Sequence, residues 1–123
     1  MSTELRFLTM NYFVSLRDRR DEAVLLTAGD VRFRDGSPAI RNDCHRNVDR
    51  WIGENPNCKA VRGWLVMGYG IERHSVVQTF TGDLIDITLP DPYLFLHHNG
   101  SQADFDQFGE NGCNQVFWKQ ISN

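Results

Sequence analysis

Three residues in this chain, Cys44, His74 and Asp86, are of the types that form a nucleophile, a base and a group that orients the base. A thiolate attacks a carbonyl carbon, an imidazole takes up and returns its proton, and a carboxylate on the far ring nitrogen fixes the tautomer and stabilises the imidazolium. The three residue types follow one another in this order along the chain. We therefore predict a catalytic triad that acts on an amide or peptide bond through an acyl-thioester.

The residues around Cys44 predict a short helix that begins at this cysteine. Asn42 and Asp43 are residue types that cap helix N-termini, and apolar residues recur at helical spacing in the following CHRNVDRWI. Gly53, and then Asn55 before a proline, are expected to end the helix. A thiol in the first turn lies near unpaired N–H groups and the positive end of the helix dipole, which both favour the thiolate. The backbone N–H of Cys44 is also placed to help hold an oxyanion.

The stretch that contains the other two residues, HSVVQTFTGDLIDIT, predicts a β-hairpin. With a three-residue loop that ends at Gly82 in the left-handed conformation, Val77 lies opposite Ile85. His74 and Asp86 then become diagonal neighbours on one face, about 7–8 Å apart at the backbone and within reach of a side-chain hydrogen bond.

Two alternatives compete with this register. A two-residue loop, Thr81-Gly82, would shift the pairing by one residue and turn Asp86 away from His74. A longer hairpin would bring the region of Asp91 opposite His74, which makes Asp91 the rival orienting group. The predicted triad therefore depends on one register.

The composition predicts a single globular domain over residues 1–123. Hydrophobic residues make up 41% of the chain and charged residues 24%, a balance that argues against extensive disorder. A formal net charge of −3 without a Lys/Arg block argues against a nucleic-acid partner. The N-terminal sequence fits neither a signal peptide nor a membrane span, and three cysteines cannot form a complete set of disulfides. We therefore expect a reduced, cytoplasmic protein with no membrane partner.

Seven potential zinc ligands are present: Cys44, His45, Cys58, His74, His97, His98 and Cys113. No two of them have the short C-x-x-C or H-x-x-x-H spacing of a metal site, and adjacent histidines on a strand point to opposite faces. We therefore predict neither a metal nor a cofactor. One of His97 and His98 is instead a candidate for lining a substrate cleft.

The remaining patterns predict a mostly antiparallel sheet packed against one main helix, an α+β fold. Residues 23–34 are typical of a hairpin around Ala28-Gly29-Asp30. AVRGWLVMGY, PYLFLHH and QVFWKQI predict further strands, and Ser101 is expected to cap a helical turn. Residues 5–16 are apolar without a clear period, so both helix and strand remain open there.

The succession NDCHRNVDRWI, NCKAVRGWLV and HSVVQTFTGDLIDIT resembles the transglutaminase-like superfamily of papain-like cysteine enzymes. The resemblance covers roughly residues 42–89, well under half of the chain. It implies a papain-like core in which the catalytic Cys44 opens a helix, and a strand led by the catalytic His74 pairs with a strand that holds Asp86. It also implies a cysteine hydrolase, amidase, peptidase or acyltransferase that acts on a protein, a peptide or a small amide.

The chain differs from this superfamily at three points. The interval between His74 and Asp86 is short, no Trp follows the histidine, and His45 comes directly after the cysteine. A related family of amidases also begins a helix at an Asp-Cys pair, but Ser-Gly usually follows there. The competing prediction is a non-enzymatic protein-binding module in which the same residues pack the core.

Overall fold

The computed structural model describes residues 3–121 and has an α+β fold with a mostly antiparallel, nearly barrel-shaped sheet, which confirms the predicted fold class at this level. The helices in these residues are α1 (Thr3–Asp18), α2 (Cys44–Glu54) and α3 (Gln102–Glu110). The strands are β1 (Val24–Leu25), β2 (Thr27–Ala28), β3 (Lys59–Val66), β4 (Gly70–Gln78), β5 (Leu84–Asp86), β6 (Leu94–His97) and β7 (Gln115–Phe117). Short 3₁₀ turns lie at Arg20–Glu22 and Trp118–Gln120.

The centre of the sheet is the long hairpin of β3 and β4, in which Lys59 pairs with Gln78 and Val66 with Ile71. The strand order is β1-β6-β3-β4-β5-β2, and β7 pairs with the beginning of β4. These pairs are antiparallel except that of β2 with β5, which is parallel. Strands β3 and β4 contain four valines together with Trp64 and Ile71, as suits a pleated surface that is packed on both faces.

The segment of β1 and β2 closes the sheet. A single residue, Leu26, separates the two strands, yet β1 pairs with β6 at one end of the strand order and β2 pairs with β5 at the other. Leu26 is buried in a cluster with Leu65, Val76 and Phe95. The hairpin predicted for residues 23–34 is therefore wrong, because β2 extends into the expected turn at Ala28 and the two short strands pair with the otherwise open edges of β5 and β6.

Hydrophobic clusters on one face of the sheet position the helices, because Trp64 pairs with Arg73 and Val77 lies four residues after Arg73 on β4. Helices α1 and α3 contribute Phe13 and Phe105 to a cluster around the fully buried Trp64. Helix α2 packs onto the sheet through Val48 and Val77. All three helices therefore pack on the same face of the sheet, and the cluster of Leu26, Leu65, Val76 and Phe95 lies on the opposite face.

The N-terminal stretch whose structure was left open forms helix α1. Phe13 and Leu16 are buried, whereas Phe7 and Leu8 are largely exposed. At the other end of the chain, Ser101 caps α3 as predicted and accepts a hydrogen bond from the backbone N–H of Asp104 at 3.1 Å. The strand predicted for QVFWKQI is shorter than expected, since only β7 is extended and a 3₁₀ turn follows.

Helix α2 begins after an unusual backbone step at Asn42, whose φ of 63° is left-handed. Asp43 occupies the N-cap position without a side-chain capping bond. The helix continues through Gly53 to Glu54, so the expected end at Gly53 is wrong, whereas Asn55 before the proline does end it.

One edge of β4 is only partly paired in the residues that the structure describes. Its beginning, from Gly70 to Glu72, pairs with β7, and its end, at Val77 and Gln78, pairs with β5. His74 and Ser75 lie between these two ladders, where α2 packs against β4. The first turn of α2 therefore meets β4 where no neighbouring strand intervenes.

Within residues 3–121, the helices lack the length and apolar character that crossing a bilayer requires.

Candidate active site

The hairpin of β4 and β5 has the predicted three-residue loop. Val77 pairs with Ile85, and the backbone N–H of Thr79 donates to the carbonyl of Asp83 at 2.9 Å. Gly82 has a φ of 94°, a left-handed conformation that favours glycine. The alternative two-residue loop is therefore wrong, and the register places His74 and Asp86 on one face.

The imidazole of His74 and the carboxylate of Asp86 form a buried pair. His74 Nε2 lies 3.0 Å from Asp86 Oδ2, and both side chains are almost completely buried. The other oxygen, Oδ1, accepts hydrogen bonds from the backbone N–H groups of Thr88 at 3.0 Å and Leu89 at 3.2 Å. Because a carboxylate can only accept, Nε2 carries the proton and Nδ1 is left for another partner. Asp91 is exposed, and the carboxylate that binds His74 is that of Asp86.

Cys44 is partly buried at the start of α2, where its thiol lies near the imidazoles of His45 and His74. Burial alone would raise the pKa of the thiol. Interactions with the neighbouring imidazoles of His45 and His74 outweigh burial and lower the pKa of Cys44 from 9.0 to about 6.

The pKa of His74 moves in the opposite direction. Burial lowers it, but hydrogen bonds to Asp86 and Cys44 and the negative charges of both groups raise it from 6.5 to about 9. Between these two pKa values the arrangement holds a thiolate beside an imidazolium, the form in which a cysteine nucleophile is active.

His45 is a second imidazole beside the thiol, and both of its ring nitrogens have other partners. Its Nε2 lies 2.9 Å from Arg73 Nη1, and its Nδ1 lies 2.5 Å from Ser75 Oγ. His74, whose Nδ1 is not taken by Asp86, is therefore the imidazole that can exchange a proton with Cys44.

The sequence pointed to His45 only as a possible metal ligand and as a difference from the superfamily. Its position directly after Cys44 in the first turn, about 100° around the helix, is the signal that could have identified it.

The other candidate ligands are dispersed. Within residues 3–121, no three His, Cys, Asp or Glu side chains are arranged to hold a metal ion. Cys58 and Cys113 are free and partly buried, like Cys44. His97 is exposed at the end of β6, and His98 accepts a hydrogen bond from the Tyr12 hydroxyl at 2.6 Å through Nδ1 while its Nε2 donates to the carbonyl of Ser101 at 2.8 Å.

A cavity of about 360 Å³ lies beside the loop that follows β5. It is lined by residues 28–31, 38–39 and 87–90, so it shares Thr88 and Leu89 with the backbone that binds Asp86. Cys44 and His74 do not line it. The predicted nucleophile and base therefore lie outside this cavity, with Cys44 at the first turn of α2.

Comparisons of the chain with protein-family models, with curated proteins and with solved structures find no match. The class of protein is thus defined by the fold and the site alone: an α+β protein whose nearly barrel-shaped sheet holds a buried His–Asp pair beside a cysteine of lowered pKa.

Proposed function

We propose that this chain is a cysteine-dependent hydrolase or acyltransferase that acts on an amide or peptide bond, with Cys44, His74 and Asp86 as its triad. The observation that carries the proposal is the buried hydrogen bond of 3.0 Å between His74 Nε2 and Asp86 Oδ2, which leaves Nδ1 to act on Cys44. The proposal includes a papain-like, transglutaminase-like core in which α2 presents the cysteine from its N-terminus. The resemblance in residue order and the helix dipole both support it.

The reaction begins when the Cys44 thiolate attacks the carbonyl carbon, and the carbonyl electron pair moves to oxygen. The backbone N–H of Cys44 helps to stabilise this oxyanion. The carbon–nitrogen bond then breaks, and the leaving amine takes the proton from His74 Nδ1. Water or a second amine, deprotonated by His74, attacks the thioester, and the thiolate leaves. Asp86 holds the imidazole in one tautomer throughout.

The substrate is a protein, a peptide or a small amide, and we propose neither a nucleic-acid partner nor a membrane. We also propose that the protein works in the cytoplasm. Its three cysteines, Cys44, Cys58 and Cys113, are all free, as a reducing compartment maintains them.

The first experiment measures the reactivity of Cys44 alone. In a Cys58→Ser/Cys113→Ser variant, the rate of alkylation by iodoacetamide is followed as a function of pH. We expect an inflection near the Cys44 pKa of about 6, and His74→Ala should move it upward because the imidazolium is lost. Cys44→Ala should fold normally and lose any amidase activity.

The matched control retains Cys113 as the single cysteine, in a Cys44→Ser/Cys58→Ser variant. Burial raises the pKa of Cys113, so its alkylation should increase only at higher pH. An inflection for Cys44 that coincides with that of Cys113, and that His74→Ala does not move, would exclude the triad.

The second candidate function is the protein-binding module. Exposed apolar side chains favour it, above all Phe7 and Leu8 on α1, which are 66% and 55% exposed. In this case Cys44, His74 and Asp86 would be structural, and alkylation of Cys44 would be slow at neutral pH. The alkylation profile therefore separates the two functions.

A further inference from the structure

The second imidazole of the site is held from two sides. Arg73 lies on β4 and donates through Nη1 to His45 Nε2 at 2.9 Å. On the other side, His45 Nδ1 lies 2.5 Å from the hydroxyl of Ser75, which is fully buried on the same strand. Since Arg73 and Ser75 are two residues apart, they point to the same face of β4 and hold the ring between them.

These contacts determine which ring nitrogen of His45 carries the proton. A guanidinium has donors and no acceptor, so Nε2 of His45 must accept from Arg73. The proton of a neutral ring therefore lies on Nδ1, which donates to Ser75 Oγ. With both nitrogens engaged in this way, His45 is not available as a base for the thiol.

The groups that hold His45 are themselves fixed. Arg73 Nε donates to the carbonyl of Phe105 at 3.0 Å, and the guanidinium lies 4.1 Å from the centre of the Phe105 ring. Gly109 leaves the space for this guanidinium, because a Cβ there would lie only 2.9 Å from its central carbon. Arg73 therefore connects α3 to the first turn of α2.

Ser75 is fixed from β3. Arg62 donates through Nη1 to Ser75 Oγ at 2.8 Å and through Nη2 to Asp49 at 2.6 Å. Asp49 lies four residues after His45 on α2, so the two side chains share one face of the helix. This face is thus bound to β3 and β4 at two successive turns, which sets the rotation of the helix about its axis.

We propose that His45 is a positioning residue, held as the neutral Nδ1–H tautomer between Arg73 and Ser75, and that it sets the rotation of α2 that brings the Cys44 thiol to His74. The inference rests on the proposed function, since it gives His45 a role in the same site. It also explains why a histidine can follow the nucleophile directly without competing for its proton.

Two measurements test this role. The first is the ¹⁵N NMR spectrum of the His45 ring, which should show a protonated Nδ1 and an unprotonated Nε2 at neutral pH. A protonated Nε2, with or without a proton on Nδ1, would overturn the proposal, and this readout needs no variant to fold.

The second measurement is the pH profile of Cys44 alkylation in the Cys58→Ser/Cys113→Ser background. We expect His45→Phe to move the inflection upward by about one pH unit, because the thiol loses its interaction with His45 as well as its alignment with the His74 imidazolium. His45→Asn can still donate to Ser75 from the position of Nδ1, so its inflection should lie closer to that of the parent. The matched control is His97→Phe, an exposed histidine on β6, which should leave the profile unchanged.

The outcomes separate this inference from the proposed function. If His74→Ala moves the inflection and His45→Phe only lowers the melting temperature, His45 is merely structural and the inference fails alone. If neither substitution moves the inflection, the proposed function fails. If His45→Phe does not fold, the profile of His45→Asn and the ring tautomer decide the inference. The inflection of His45→Asn must then lie at a lower pH than that of His74→Ala.

Discussion

Folding gives Cys44 a negative and His74 a positive charge without changing the number of protons that they carry together. Between pH 6.5 and 9, an unfolded chain has a neutral thiol and a neutral imidazole, because their ordinary pKa values are 9.0 and 6.5. In the folded protein the pKa values of about 6 and about 9 give a thiolate and an imidazolium. The raised pKa of His74 alone would make stability decrease as pH rises in this window, and the lowered pKa of Cys44 alone would make it increase. The two effects cancel.

We expect Cys44→Ala to remove this cancellation. Asp86 still favours the imidazolium, so the pKa of His74 stays above 6.5, although it falls below about 9. The folded state then binds more protons than the unfolded state, and the free energy of unfolding should decrease by about 1 kcal/mol as pH rises through this window. Urea unfolding at several pH values measures the slope, with the wild type and Cys58→Ala as references. A slope no steeper than theirs would argue against the ion pair.

At the scale of residues, the sequence was sufficient to predict the contact between His74 and Asp86, but it was insufficient to predict the contacts of His45. The position of Gly82 determines the loop, and counting outward from it leads to the observed register. The role of His45 depends on Arg73 and Ser75, which are 28 and 30 residues away in the chain. A local sequence pattern does not reveal which side chains a helix will contact when they lie so far away along the chain.

At the scale of elements, the hairpin of β4 and β5 determines whether the carboxylate reaches His74. Its loop requires a left-handed residue at Gly82, where no neighbouring atom would obstruct a side chain. A substitution there consequently tests backbone conformation without a steric clash. Gly53 also has open space around it, but it lies inside helix α2 and does not have the left-handed conformation.

We expect Gly82→Ala to lower the free energy of unfolding by about 1–2 kcal/mol, because an alanine is strained in the left-handed conformation. Gly82→Asn should cost less, since asparagine tolerates this conformation better. The matched control, Gly53→Ala, should raise stability by about 0.5–1 kcal/mol, because alanine is the better helix former. Urea denaturation measures all three. If Gly82→Ala and Gly53→Ala had the same effect, the loop assignment and the register would be in error.

The elements that the sequence described well are those with local signals. Ser101 caps α3, and Asn55 before a proline ends α2, because each acts on the backbone next to it. Helix α1 was left open because Phe7 and Leu8 are exposed while Phe13 and Leu16 are buried, so its apolar residues do not lie on one face. Its burial is decided by contacts with β3 and α3, which lie much later in the chain.

At the scale of the whole molecule, closure of the sheet depends on a very short segment. Strands β1 and β2 have two residues each and pair with β6 and β5, which lie some sixty or seventy residues further along the chain. The hairpin prediction failed here because each strand satisfies its hydrogen bonds with a distant edge and not with its neighbour. Leu26 between them is 2% exposed, and its backbone N–H donates to the carbonyl of Tyr93 at 2.9 Å.

We expect Leu26→Ala to lower the free energy of unfolding by about 2–5 kcal/mol, because it leaves a cavity among Leu65, Val76 and Phe95 at the point where the sheet closes. The matched control is the adjacent Leu25→Ala. Leu25 is 67% exposed, so its loss should change stability by no more than about 0.5 kcal/mol. Chemical denaturation of both variants measures the difference. Equal costs at the two positions would mean that Leu26 does not fill the interior, and that β1 and β2 do not join the two edges into a nearly closed sheet.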